Sequence, residues 1–169
     1  PKDVRALIQL MKEHGCSTKL LESVDYINEF QKSSVIPKVQ KLVPDLKGRK
    51  VTVWGLSFKP KTDDMREASS IVIISELQKL GAEVHAFDPV SERNARQVLN
   101  GVHYADTPLG ALEGASCLVV VTEWDLFREL DKGRMKQLMA VPNVVDGRNI
   151  YEPEEMRSLG FNYIGIGRG

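Results

Sequence analysis

From Lys50 onward the chain alternates short apolar, β-branched runs with helix-patterned segments, and this alternation restricts the possible folds more than any other feature. Lys50-Val51-Thr52-Val53-Trp54 reads as a buried strand ended by Gly55. Ser69 to Leu80 carries Ile71, Ile74, Leu77 and Leu80 at helical spacing and is stopped by Gly81. Val84–Phe87 is the next strand, closed by Asp88-Pro89, and is followed by a helix over about 92–99, a short strand near 102–104 and a helix near 109–112. Cys117–Val121 is a third long buried strand. Helical pieces near 124–138, the strand Asn143–Val145, a helix at 153–158 and a closing strand at 163–166 complete the run. Strands this apolar need cover on both faces, and right-handed crossovers supply it. The expected fold is α/β: a Rossmann-like, doubly wound parallel sheet.

Two segments of different character come first. Val4, Leu7, Ile8 and Met11 recur at helical spacing, with Asp3 as N-cap and Gly15 as stop. Thr18–Leu42 reads as one long helix carrying Leu20, Val24, Ile27, Val35, Val39 and Leu42, interrupted or kinked at Pro37. Such a helix is marginal in water unless its apolar stripe packs on another domain or subunit. The first residue is Pro1, not Met, so a piece of a longer protein is expected.

Lys+Arg and Asp+Glu balance at 23 each. No sequence-wide field therefore draws the chain to nucleic acid or an anionic membrane, and an anionic ligand must be held by a few local cations. Cys16 and Cys117 form no disulfide framework or zinc pattern, which makes a reducing, cytoplasmic setting the default. No apolar stretch approaches the roughly 20 residues of a membrane span, and no signal peptide stands out. With 169 residues, 42% of them apolar, the chain can bury a core without staples.

In a doubly wound sheet, ligands bind beyond the carboxyl ends of the strands. The candidate loops are Gly55–Ser70, Asp88–Ser91, Thr122–Asp125 and Asp146–Tyr151. The first lacks the Gly-x-Gly-x-x-Gly turn of dinucleotide domains. It offers Gly55-Leu56-Ser57-Phe58-Lys59-Pro60-Lys61 instead, with Arg66 further on. Side-chain cations there can do the phosphate work that backbone amides do elsewhere, at ~1.5–3 kcal/mol per charge-assisted bond. Solvated loop lysines are the competing reading. Asp63, Asp64 and Glu67 read as a cap for the Ser69 helix and as partners for nearby cations rather than as a metal site. In the last loop Gly147 permits close backbone approach and Arg148 presents a planar donor fork; a surface pair with Asp146 is the alternative. Asp88 ends a strand where dinucleotide domains hold a ribose, a use the missing glycine fingerprint disfavours. His14, His85 and His103 suggest no nucleophilic triad.

The string from Trp54 to Ser70, containing Phe58-Lys59-Pro60-Lys61-Thr62-Asp63-Asp64-Met65-Arg66-Glu67-Ala68, resembles the hallmark loop of the UDP-glucose/GDP-mannose dehydrogenase family. Asp146-Gly147-Arg148-Asn149 is similar to that family's late substrate loop in its UDP-glucose form, and Pro1-Lys2-Asp3 to the end of its catalytic signature. The resemblance implies that 1–15 ends a catalytic domain, that 16–46 is a connecting helix and dimer interface, and that 47–169 binds the UDP-sugar. It implies Phe58, Lys59 and Arg148 as substrate contacts, Lys2 and Arg66 beside NAD, and Asp3 as the catalytic carboxylate. It implies a homodimer or larger homo-oligomer that oxidises UDP-glucose twice with NAD, through a cysteine thioester. Neither Cys16 nor Cys117 stands at the nucleophile's position, so the chain by itself is expected not to turn over. The same portion of a GDP-mannose or UDP-N-acetylmannosamine dehydrogenase, or a non-catalytic nucleotide-binding module, are the alternatives.

Overall fold

The computed structural model describes residues 2–168, which fall into two compact units, one ending at Ser34 and the other beginning at Val35.

The first unit is a pair of helices, α1 (Lys2–Glu13) and α2 (Lys19–Ser33). Ion pairs Arg5–Asp25 at 3.1 Å and Lys12–Glu22 at 2.8 Å join them. Such exposed pairs contribute only ~0–1 kcal/mol each. Neither helix buries a residue, and Leu7, Leu10, Leu20, Val24, Ile27 and Phe30 are all exposed. Asp3 lies inside the first turn of α1 rather than capping it, because the helix already begins at Lys2.

The long helix expected over Thr18–Leu42 is present as α2 and α3 (Val35–Leu42), divided at Ser34 and not at Pro37. The serines explain the place. Ser33 Oγ donates to the Phe30 carbonyl at 3.0 Å and Ser34 Oγ to the Gln31 carbonyl at 2.9 Å, so hydroxyls compete for the last carbonyls of α2. Pro37 then stands in the first turn of α3, where a missing N–H leaves no bond unmade.

In the second unit, β1 (Lys50–Trp54), β2 (Glu83–Phe87), β3 (His103–Tyr104), β4 (Cys117–Val120), β5 (Asn143–Asp146) and β6 (Asn162–Gly165) form one parallel sheet in the order β3-β2-β1-β4-β5-β6. This is the doubly wound order expected from the alternation, and its switch point lies between β1 and β4. Side chains alternate between two cores as the strand period of two requires. Val51, Val53, Cys117, Val119 and Val145 meet α3, α4 (Ser69–Lys79) and α5 (Glu92–Val98) through Val39, Ile74, Leu77 and Ala95. Trp54, Leu118, Val120 and Val144 face the opposite way. They meet Leu112 of α6 (Pro108–Leu112), Phe127 of α7 (Asp125–Arg128), Met135 of α8 (Lys132–Leu138) and Met156 of α9 (Pro153–Ser158).

Trp54 shows how completely the second core is satisfied. It is fully buried, stacks on Phe127 with ring centroids 4.9 Å apart, and donates its indole N–H to the Pro108 carbonyl at 3.1 Å. Burial also pushes the Cys117 thiol up to about 12, whereas Cys16 is exposed. A thiol reagent at pH 8 is therefore expected to modify Cys16 in the folded chain and to reach Cys117 only after denaturant is added. Rapid modification of both without denaturant contradicts the buried position.

Candidate nucleotide-binding rim

The carboxyl ends of β1, β2, β4 and β5 bring four loops to one edge of the sheet, and hydrogen bonds tie these loops together. Gly55 N–H continues the ladder to the Phe87 carbonyl at 2.9 Å, and Val121 N–H reaches the Trp54 carbonyl at 2.8 Å. Thr122, in the loop after β4, donates its hydroxyl to the Ser57 carbonyl at 2.6 Å. Gly147, after β5, donates to the Val120 carbonyl at 2.9 Å. A Cβ on Gly147 would stand 2.7 Å from that oxygen, so glycine permits the approach.

Phe58 and Lys59 lie at the exposed crest of the first loop, with the Lys59 ammonium 5.2 Å from the Phe58 ring centroid. Their backbone is fixed from below. Ser57 Oγ donates to the Lys59 carbonyl at 2.9 Å, and Phe58 N–H to the Asp64 carbonyl at 3.1 Å. Lys61 and Glu67 both hold positive φ, at 63° and 61°. Non-glycine residues rarely adopt this conformation, and such strain concentrates in ligand-gripping loops.

Arg66 is spoken for in this arrangement. Its guanidinium forms a two-point pair with Asp64, at 2.8 Å for Nη2–Oδ2 and 3.0 Å for Nε–Oδ1, and remains exposed. That hydrogen-bonded pair draws the Asp64 carboxyl down to about 2. Asp64 thus takes the expected part of partner to a nearby cation. Ala68 occupies the N-cap of α4, and its methyl group offers no acceptor for a side-chain cap bond.

Arg148 does not form the surface pair with Asp146 that their closeness in sequence allows. Its Nε bonds to Glu123 of the β4 loop, and the guanidinium holds the Glu123 carboxyl below its usual range. Asp146 points inward instead. It is fully buried and accepts from Arg148 N–H at 3.0 Å, Tyr151 N–H at 3.1 Å and Tyr163 Oη at 2.9 Å. Asn149, at φ 53°, donates to the Ile166 carbonyl and accepts from Ile166 N–H, which locks the loop to the end of β6. Arg148 is thus an exposed cation on a rigid mount.

Lys59 and Arg148 come from strands separated by β4, and the β4 loop links them: Thr122 bonds the first loop and Glu123 the last. The sequence offers this loop as a candidate without a role for Thr122, Glu123 or Trp124, although polar Thr122 and Glu123 directly after a buried apolar run mark it. Lys2 and Asp3 belong to the other unit, in α1.

At the switch point the loops after β1 and β4 pack directly on each other. Gly55, at φ 85°, lies so close to Thr122 that a Cβ would stand 2.6 Å from its backbone nitrogen. No group of three or more His, Cys, Asp or Glu among the described residues is placed to hold a metal. None of the described helices is long and apolar enough to cross a membrane.

Residues 52–153 match the model described as the UDP-glucose/GDP-mannose dehydrogenase family, UDP binding domain. The chain is 40% identical over 169 residues to a UDP-glucose 6-dehydrogenase of Rhizobium meliloti, covering 99% of this chain and 39% of that protein. It is 43% identical over 175 residues to a UDP-glucose 6-dehydrogenase of Pseudomonas aeruginosa, with the same two coverages. Among solved structures, a UDP-glucose dehydrogenase from Pyrobaculum islandicum superposes with a TM-score of 0.84 at 30% identity, over 98% of this chain and 36% of that one. The chain spans about two fifths of the length of the curated relatives it matches.

Proposed function

The chain belongs to the UDP-glucose/GDP-mannose dehydrogenase family, and on that premise we propose that it holds the UDP-sugar in an NAD-dependent UDP-glucose 6-dehydrogenase. What supports this reading is one arrangement: exposed cations Lys59 and Arg148 on loops that hydrogen bonds join along a single rim. Lys59 bonds a diphosphate oxygen, the Phe58 ring flanks the base or sugar, and Arg148 supplies a two-point donor fork. Binding at Arg148 exchanges the Glu123 carboxylate for a phosphate, so its net contribution is smaller than that of Lys59.

The remaining roles follow from the family. Residues 1–15 end the catalytic domain, 16–46 form the connecting segment and 47–169 hold the nucleotide sugar. NAD binds the other domain of the complete enzyme; Arg66 reaches toward it from the rim and Lys2 lies beside it. Asp3 is the carboxylate that orients the reacting groups. The exposed apolar side chains of α1 and α2 suit burial by a second copy in a homodimer. Two free cysteines suit a reducing, cytoplasmic setting.

The chain alone is expected to bind UDP-glucose and not to oxidise it. In a thermal-shift comparison, UDP-glucose should raise the melting temperature of the chain more than GDP-mannose does. In parallel, UDP-glucose and NAD together should yield no NADH. A larger shift with GDP-mannose would move the assignment to a sibling enzyme. Appreciable NADH would refute the division of labour.

A further inference from the structure

Asp88 stands just past β2, where domains of this strand order present a carboxylate to a ribose, yet both its oxygens are committed elsewhere. Oδ2 accepts from Leu56 N–H at 2.7 Å, Ser57 N–H at 3.4 Å and Trp124 Nε1–H at 3.2 Å. Oδ1 accepts from Val90 N–H at 3.0 Å and Ser91 N–H at 2.8 Å. A carboxylate offers about four lone-pair sites. The five donors leave none for a ligand, and the residue is 5% exposed.

The donors come from the loops after β1, β2 and β4. Leu56 and Ser57 lie just before Phe58 and Lys59, and Ser57 in turn bonds the Lys59 carbonyl. Resting on the nucleotide-binding reading above, we propose that Asp88 is a positioning residue for the UDP-sugar. It never touches the ligand; it sets the height and direction of the loop that carries Lys59, and it registers that loop against Trp124 beside Glu123. The carboxylate that would hold a ribose in a dinucleotide domain here tensions a diphosphate-binding loop.

Asn is nearly the same shape as Asp but replaces one acceptor oxygen with an NH2 donor. Asp88→Asn therefore turns one side of the carboxylate against its own donors and lets the Lys59 loop drift. UDP affinity of the chain, read by calorimetry, should fall about 10-fold on this change, as for other losses of a buried charged acceptor. The deciding readout is a double-mutant cycle with Lys59→Ala. If Asp88 acts through Lys59, the double variant should bind UDP about as weakly as Lys59→Ala alone. Multiplied losses, or full affinity in Asp88→Asn, would overturn the proposal while leaving the nucleotide site intact. No UDP binding by the unaltered chain would overturn the nucleotide reading itself, and this proposal with it. Should Asp88→Asn fail to fold, Trp124→Phe removes a single donor and is put through the same cycle, with a smaller expected loss of about 3-fold and the same non-additivity.

Discussion

Replacing Lys59 with alanine is expected to weaken UDP binding by about 30-fold, or ~2 kcal/mol, the worth of one charge-assisted hydrogen bond to phosphate in a partly desolvated site. The size follows from the state of Lys59 before binding. Its neighbour is the Phe58 ring, and among the described residues it makes no ion pair that a ligand would first have to break. Arg148 differs, because Glu123 already neutralises it. Arg148→Ala should therefore lose only about 1 kcal/mol, the surplus of a phosphate over a carboxylate partner. Calorimetric titration of UDP into the two variants gives the comparison. Equal affinities for Lys59→Ala and the unaltered chain would return Lys59 to the status of a solvated loop charge. The Lys59 contribution should also shrink as salt rises, since the loop crest is exposed.

The second large effect is on stability. Gly55→Ala should lower the stability of the sheet unit by ~3 kcal/mol, and its melting temperature by roughly 6–12 °C. Two costs add. Gly55 sits at φ 85°, which an L side chain reaches at about 1–2 kcal/mol. The new Cβ would also press on the Thr122 side chain and lie 2.6 Å from its backbone nitrogen, forcing the loops after β1 and β4 apart at ~1–3 kcal/mol. Gly114→Ala separates the two costs. Gly114 has φ 70°, and a Cβ added there would meet nothing within 4 Å, so only the backbone cost applies. Thermal unfolding of both variants should show the Gly55 change to be clearly the worse. Similar melting temperatures would mean that the β1 and β4 loops are not in contact at the switch point.

Much of this architecture is legible in residue order because its signals are local. Cys117–Val120 is apolar on both faces, and Val144 and Val145 put an apolar side chain on each face of β5, which only strands covered on two sides explain. The position of Lys59 and Arg148 at the carboxyl edge follows from the same pattern. Bonds between residues far apart in the chain leave no such signal. Sequence proximity offers Asp146 to Arg148, yet Arg148 takes Glu123, 25 residues earlier, because β4 and β5 are adjacent strands whose loops emerge together. Asp88 occupies a ribose-holding position by its place after β2 and proves to be an internal anchor, since its donors at Leu56 and Trp124 arrive only when the sheet forms. The division of the connecting helix at Ser34 is hidden for a different reason. Proline is a conspicuous helix breaker, whereas two serines bonding back to carbonyls leave a fainter mark.

The proposed function turns on phosphate being gripped by side chains from two separate loops at once. Amide resonances of the 15N-labelled chain, followed during titration with UDP, address this most directly. A two-loop grip predicts concerted shifts at Phe58, Lys59 and Lys61 and at Gly147, Arg148 and Asn149, saturating at one UDP per chain, with uridine producing far smaller changes. Shifts confined to one loop, or equal responses to uridine and UDP, would contradict it.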